Sequence, residues 1–378
     1  MKAIILKIGI NVAILAMRLP YFFFKLLPTK NRIVFLSRQS DNCPVSFRLV
    51  IEEIARQNWE VKTKVLAKKI DKSPLKTLLY GFHIIVQQYY IATSKVAVLD
   101  SYNISISVLK HKKTLKVIQM WHALGSYKKF ALSILDKDEG RSQLVAQTMK
   151  MHQNYDFILT SSKSALPNFA EAFGYPHEKM VILPIPYIDE LLDKQKVDSN
   201  NKKILQRYPQ MAEKKNILYV PTFRKDSIRE KEAIMALVDA VAYDKYNLII
   251  KLHPVSNLTI NDDRVISAKE FSSQDMIALA DYVITDYSAI IYELALLKKA
   301  IFLYTYDFNE YIDKRDFYFD YNDLPAKRYE DVRELLKDID NDNYDSAKIN
   351  SFAKQSIELP ENATCAQAFV TLLKSLVV

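Results

Sequence analysis

From Arg32 onward the chain alternates short, β-branched apolar runs with longer amphipathic segments, and few folds accommodate that rhythm. Strands buried on both faces read as continuous apolar runs, and joining them in parallel demands crossover helices. The spacing predicts strands over 32–37, 61–67, 96–100, 115–120 and 157–161, with helices such as 45–56 and 75–93 between them. A charge-dense stretch, 193–215, precedes a second series with strands over 217–220, 248–252, 282–285 and 300–304. The fold class expected is α/β, with two Rossmann-like domains over 29–192 and 216–378 and an interdomain linker region over 193–215. Ligands of such sheets lie beyond the carboxyl ends of the strands, and a two-domain version places them in the cleft between the halves. The informative residues should therefore follow strands directly.

The 378 residues, 49% hydrophobic, suffice for two cores. Only 5 Gly stand against 23 Tyr and 18 Phe, which excludes a linker-rich or disordered chain. Cys43 and Cys365 have no metal-like spacing and form no disulfide framework, so a reducing compartment fits. A net charge of +9 attracts phosphates, whether on nucleic acid, lipid or a nucleotide-linked donor. The sign alone names no partner.

Residues 1–28 are strongly apolar, but Lys7, Arg18, Pro20 and Lys25 interrupt them before the roughly 20 uninterrupted residues of a spanning helix. No small-residue cleavage site follows, so a secretory signal is not indicated. Wound at about 100° per residue, Lys7, Asn11, Arg18 and Lys25 share one stripe and apolar residues fill the rest. This predicts an amphipathic helix lying in a membrane surface with its cations among head groups. Packing on the protein's own core is the competing reading, and a spanning anchor the third.

Four motifs carry chemistry. Trp121-His122-Ala123-Leu124-Gly125-Ser126-Tyr127-Lys128-Lys129 leaves an apolar run, placing His122 where an imidazole can take a proton from an attacking hydroxyl, with the lysines near an anionic substrate. Lys251-Leu252-His253-Pro254 repeats that geometry in the second half. Thr285-Asp286-Tyr287-Ser288-Ala289 opens a helical stretch: Ser288 is an N-cap whose neighbouring N–H groups can receive a pyrophosphate, and Glu293 can reach ribose hydroxyls. Tyr219-Val220-Pro221-Thr222-Phe223-Arg224-Lys225-Asp226 sends Arg224 out of a strand toward bidentate phosphate contact. Each has a bland alternative: a hydrogen-bonded structural His, a plain helix cap, an exposed Glu, an interdomain salt bridge. Phe317-Tyr318-Phe319-Asp320-Tyr321 reads as lid or core, and the Lys110, His111, Lys112, Lys113, Lys116 cluster as a solvated basic turn first, with approach to anionic lipid or an acceptor pyrophosphate as the second reading.

Together and in this order, these motifs resemble the CDP-glycerol glycerophosphotransferase family, the teichoic acid primases and polymerases of Gram-positive envelopes. The resemblance spans residues 121–320 and implies a GT-B fold, monotopic attachment to the cytoplasmic face of the cell membrane, and transfer of glycerol or ribitol phosphate from a CDP-linked donor with release of CMP. It implies His122 and His253 as the catalytic pair, with Arg224, Lys251, Thr285, Asp286, Ser288 and Glu293 toward the donor. Gly125, Lys128 and Asp320 fall toward acceptor or phosphate. The implied acceptor is an undecaprenyl-linked saccharide or a teichoic acid chain; a homo-oligomer is compatible, and nucleic acid is not expected. Trp121-His122-Ala123-Leu124-Gly125 is closer to the W-H-A-x-G form of primase-like members than to the W-H-G-T-P of many polymerases, and the absence of a long extra N-terminal domain suits a primase or short polymerase. Ala289 stands where the family has a second serine, which leaves one phosphate contact either lost or supplied by a backbone amide. No cofactor is required by the sequence; Mg²⁺ suits phosphoryl transfer, but no ligand set can be named. The rival enzyme is a GT-B glycosyltransferase using a nucleotide sugar. A non-catalytic basic scaffold would explain the charge but not paired histidines after strands.

Overall fold

The computed structural model describes residues 2–70, 73–137, 140–224, 227–253, 255–314 and 316–377; Lys225, Asp226 and Pro254 of the motifs above lie outside the described residues. Two compact units form, one from residues 1–189 with 358–378 and the other from 190–357.

In the first unit, β1 (Lys30–Ser37), β2 (Lys62–Ala67), β3 (Ser94–Leu99), β4 (Lys116–Gln119), β5 (Phe157–Thr160) and β6 (Met180–Ile182) make one sheet in the order β2-β1-β3-β4-β5-β6. Every neighbouring pair is parallel. The central strands are apolar without alternation because both faces are covered: Ile33 to Leu36 and Val96 to Leu99 are all buried. The chain leaves β1 for β2 on one side and returns to β3 on the other, so the order reverses between β1 and β3.

The second unit repeats the device with β7 (Lys215–Tyr219), β8 (Tyr246–Ile250), β9 (Val265–Ile266), β10 (Tyr282–Thr285), β11 (Ala300–Tyr304) and β12 (Arg328–Tyr329), in the order β12-β11-β10-β7-β8-β9, again all parallel. Here the reversal falls between β7 and β10. A crevice opens at such a point because the crossovers diverge to opposite faces, and the loops after β7 and β10 flank it.

Two boundaries differ from the expectation. The 193–215 stretch is not a bare linker: the helix Lys194–Arg207 buries Ile204, and the turn Pro209–Ala212 buries Met211, both within the second unit. Its charge density marks the solvent face of that helix. Nor do residues 358–378 close the second unit. The helix Cys365–Val377 packs on the helix Val45–Arg56 and on β3, burying Phe369, Val370 and Leu373. Asp189 accepts the N–H groups of Cys365 and Ala366 at 2.8 and 2.7 Å, capping the helix start.

The N-terminal helix Lys2–Leu26 runs unbroken through Pro20, and its Ala3–Leu26 portion is long and apolar enough to cross a membrane by length and composition. One row is fastened to the protein. Ile14 and Tyr21 are buried, with Ile10, Met17 and Phe24 packed beside them. The Tyr21 hydroxyl donates to Nδ1 of His111 at 2.6 Å, and Lys25 donates to the Lys110 carbonyl at 3.0 Å. The opposite side is bare: Val12, Leu15, Leu19, Phe22 and Leu26 are each 60% or more exposed. Lys7, Asn11, Arg18 and Lys25 occupy the seam between the two rows, as 3.6-residue winding requires. The helix Pro74–Ala92 packs alongside and extends the bare face with Leu79, Phe82, Ile85 and Val86.

Candidate active site

β4 ends at Gln119, and two residues later Trp121 adopts φ 63°, a left-handed conformation that costs a bulky side chain about 1–3 kcal/mol. The buried Gln119 side chain holds this turn. Its Oε1 accepts the Trp121 N–H at 3.0 Å, and its amide donates to the Tyr155 hydroxyl at 3.0 Å and the Ser101 carbonyl at 3.3 Å. Trp121 packs on Phe130 and Phe173, with ring centroids 5.4 and 5.2 Å away. The turn directs His122 back to the end of β3, where its Nδ1 lies 2.7 Å from the Asp100 carbonyl oxygen. A carbonyl only accepts, so at 2.7 Å Nδ1 carries the proton and donates; the Gln39 amide nitrogen, 3.3 Å from the same atom, then makes no hydrogen bond to it. Nε2 then keeps its lone pair, the state required of a base. His122 reaches solvent, while the protein packed around the ring lowers its pKa below the ordinary imidazole value; the Asp100 carbonyl and carboxylate partly offset that.

In the second unit the loops after β7 and β10 are bolted together. The buried carboxylate of Asp286 accepts the Thr222 N–H at 2.9 Å, the Thr222 hydroxyl at 2.6 Å and its neighbour Tyr287's N–H at 2.6 Å. Arg224 adds a fork: one nitrogen donates to Asp286 at 2.8 Å, Nε donates to Asp307 at 2.7 Å, and a third donates to the Thr222 carbonyl at 2.7 Å. Burial opposes the guanidinium charge, and the two aspartates more than offset it, holding the group firmly protonated. Tyr287, Tyr306 and Tyr311 surround it at 5.1, 5.7 and 5.3 Å from their centroids. Tyr321 closes the ring of aromatics and donates to the Asp286 carbonyl at 2.7 Å.

Arg224 and Asp286 are thus frame, and so is Thr285, whose hydroxyl donates to the Val220 carbonyl at 2.9 Å. The guanidinium of Arg224 is held between the carboxylates of Asp286 and Asp307. Lys251 is similarly engaged, donating to the carbonyls of Ala268 and Phe271 at 2.7 and 2.6 Å, with burial lowering its pKa. Asp320 caps the turn Tyr321–Asp323, accepting the Asn322 N–H at 2.9 Å, and so sets Tyr321 in place. The buried Tyr321 makes that end of the aromatic strip core rather than lid. Gly125 is buried, and the Lys128 ammonium stands 5.8 Å from the Tyr127 ring centroid.

Three further residues of the expected site, His253, Ser288 and Glu293, have different surroundings. His253 is exposed, and its Nδ1 accepts the Val255 N–H at 3.3 Å, which leaves the ring proton on Nε2. Its tautomer is opposite to that of His122. Ser288 starts the turn before the helix Ile291–Leu296 instead of capping the helix itself: its Oγ accepts the Ile290 N–H at 3.4 Å and its carbonyl the Ile291 N–H at 3.3 Å. Six residues give that helix only a small dipole. Glu293 is half-buried, and burial raises its carboxyl to about 8, so it is mostly protonated at neutral pH and able to donate.

That shift has a measurable consequence. A carboxyl raised from 4.5 to about 8 binds its proton more tightly in the folded chain, so its contribution is favourable below the lower value and is lost as pH rises through the window. Glu293→Gln, neutral at every pH, is expected to gain roughly 2–4 kcal/mol on the wild type between about pH 5 and about pH 8. Urea unfolding at the two pH values measures this, and a constant difference between the proteins excludes the protonated carboxyl.

Four residues that build this geometry carry no expectation from the sequence. Gln119 and Asp100 orient His122, and Asp307 and Thr222 complete the Arg224 frame. Gln119 and Asp100 do carry a signal, being polar residues at the ends of apolar strands. Among the described residues no group of three or more His, Cys, Asp or Glu side chains converges as a metal cage, so no step is assigned to Mg²⁺.

Over 344 residues the chain is 33% identical to the teichoic acid ribitol-phosphate primase of Bacillus spizizenii, covering 88% of each. Over 353 residues it is 30% identical to the teichoic acid glycerol-phosphate primase of Bacillus subtilis, covering 87% of this chain and 89% of that one. The solved structure of the wall teichoic acid polymerase TagF superposes with a TM-score of 0.72 at 17% identity, over 100% of this chain and 97% of that one, and shares its GT-B-like fold of two parallel-sheet units. The pattern of one family, CDP-glycerol:poly(glycerophosphate) glycerophosphotransferase, matches residues 19–367, and the chain belongs to that family.

Proposed function

We propose that this chain transfers glycerol phosphate or ribitol phosphate from a CDP-linked donor to a lipid-linked acceptor of teichoic acid synthesis, releasing CMP. The observation that carries the reading is the fixed tautomer of His122 in a chain of this family. Nε2 takes the proton of the acceptor hydroxyl as its oxygen attacks the β-phosphorus. The bond from that phosphorus to the bridging oxygen breaks, and its electron pair leaves with CMP. His253, holding its proton on Nε2, donates to a phosphate oxygen, and the N–H groups near Ser288 and the protonated Glu293 bind the remainder of the donor. Arg224, Lys251, Thr285 and Asp286 keep those loops rigid.

We place the enzyme on the cytoplasmic face of the membrane as a peripheral protein. The bare apolar side of the N-terminal helix supports contact with hydrocarbon, while the Tyr21, Lys25 and Ile14 contacts favour a helix lying along the protein over one threaded across the bilayer.

The test supplies membrane-bound protein with labelled CDP-ribitol or CDP-glycerol and lipid-linked acceptors carrying zero, one or several polyol phosphates. Labelled polyol phosphate on the acceptor with equimolar CMP is expected. Incorporation of sugar from a nucleotide sugar, with neither CDP-polyol consumed, overturns the reading. The relative at 33% identity makes CDP-ribitol the first donor to try.

A further inference from the structure

Beside the N-terminal helix lies a cavity of about 520 Å³ whose rim brings Arg18 and Lys25 together with Lys110 and Lys150. No carboxylate is among its described lining residues. Arg18, Lys110 and Lys150 are exposed, and none of the ion pairs among the described residues involves them. The backbone acceptors nearby are already engaged: the Asn154 amide donates to the carbonyls of Ile106, Ser107 and Leu109 at 2.8, 3.2 and 3.1 Å. Four cations thus share one concave site that, among the described residues, no carboxylate lines.

The location identifies the anion. Phe22 lines the cavity and is also 60% exposed on the bare apolar side of the helix, so the cavity opens where that side begins. Arg18 and Lys25 sit on the seam between the protein-facing row and the apolar row, the depth at which head groups meet acyl chains when the apolar row is inserted. The second helix, Pro74–Ala92, widens the inserted face with Leu79 and Phe82. An anion that arrives attached to hydrocarbon fits this arrangement on both counts.

We infer that this cavity binds the phosphate of an anionic phospholipid headgroup, so that the protein reads the charge of the bilayer through a formed site and its hydrocarbon through the two-helix face. The inference rests on the membrane-surface reading above but not on the catalytic one. Each cation held near an anionic surface multiplies partitioning about fivefold, so three together act on the order of 100-fold.

The experiment is co-flotation of the full chain with phosphatidylcholine vesicles, with and without phosphatidylglycerol. Arg18→Gln, Lys110→Gln and Lys150→Gln combined are expected to lower partitioning onto the phosphatidylglycerol vesicles on the order of 100-fold while leaving binding to pure phosphatidylcholine unchanged. A charge-matched control, Lys202→Gln, Lys203→Gln and Lys231→Gln on exposed helix faces of the second unit, is expected to keep the preference. Competition by inorganic phosphate in the absence of any change in vesicle preference would assign the site to free phosphate and overturn the headgroup. Retained preference in the first triple variant, or equal loss in the control, overturns the cavity alone. Wild-type protein that floats with neither vesicle overturns the membrane reading together with it.

Discussion

His122→Ala is expected to lower kcat for polyol-phosphate transfer by about 10²–10⁴-fold, the span of general-base catalysis, with donor binding nearly unchanged. Single-turnover transfer and donor titration separate the two effects. The orienting partner of His122 is the main-chain carbonyl of Asp100, so removing the Asp100 carboxylate by Asp100→Asn leaves the tautomer in place. The pH profile supplies an independent signature. Packed protein lowers the imidazole pKa, so the neutral form survives below the ordinary value of 6.5, and the acid limb of kcat/KM should lie below that value. A loss under about tenfold in the alanine variant, with an unchanged acid limb, would remove His122 from the proton transfer.

The second large effect is on stability. Arg224→Ala leaves the carboxylates of Asp286 and Asp307 in a buried aromatic enclosure without their shared cation, and breaking such a pair from one side costs about 3–5 kcal/mol. Arg224→Lys recovers little of this. One ammonium has no planar fork with which to hold two carboxylates and the Thr222 carbonyl together. Urea unfolding of each variant gives the result directly. If Arg224→Ala instead unfolds like the wild type and weakens only donor binding, the guanidinium serves the ligand and not the frame.

Much of the fold was legible because parallel sheets impose a strong pattern: the strands at 282–285 and 300–304 coincide with β10 and β11, and the helix at 45–56 with its predicted bounds. β6, β9 and β12 passed unnoticed, since two or three residues carry no period. The histidines stood out because they follow apolar runs. What each neighbour does was not legible, because it depends on residues far along the chain: Asp286 and Asp307 lie 62 and 83 positions beyond Arg224, and the carbonyl that fixes His122 lies 22 positions before it. Such distances carry no local signature, so the carboxylates that hold Arg224 could not be read from its own motif. The N-terminal stripe was legible as a pattern, but its placement between a packed row and a bare row needed the tertiary contacts of Ile14 and Tyr21.

The helix Cys365–Val377, lodged against the first unit, has a consequence for biosynthesis. A ribosome that has delivered residue 357 has supplied everything the second unit contains, yet the first still lacks the segment that covers the helix Val45–Arg56 and part of β3. Phe369, Val370 and Leu373 reach their sites only after the intervening unit has been made. The nascent chain therefore cannot mature in simple N-to-C order: its first unit waits, partly uncovered, and closes last.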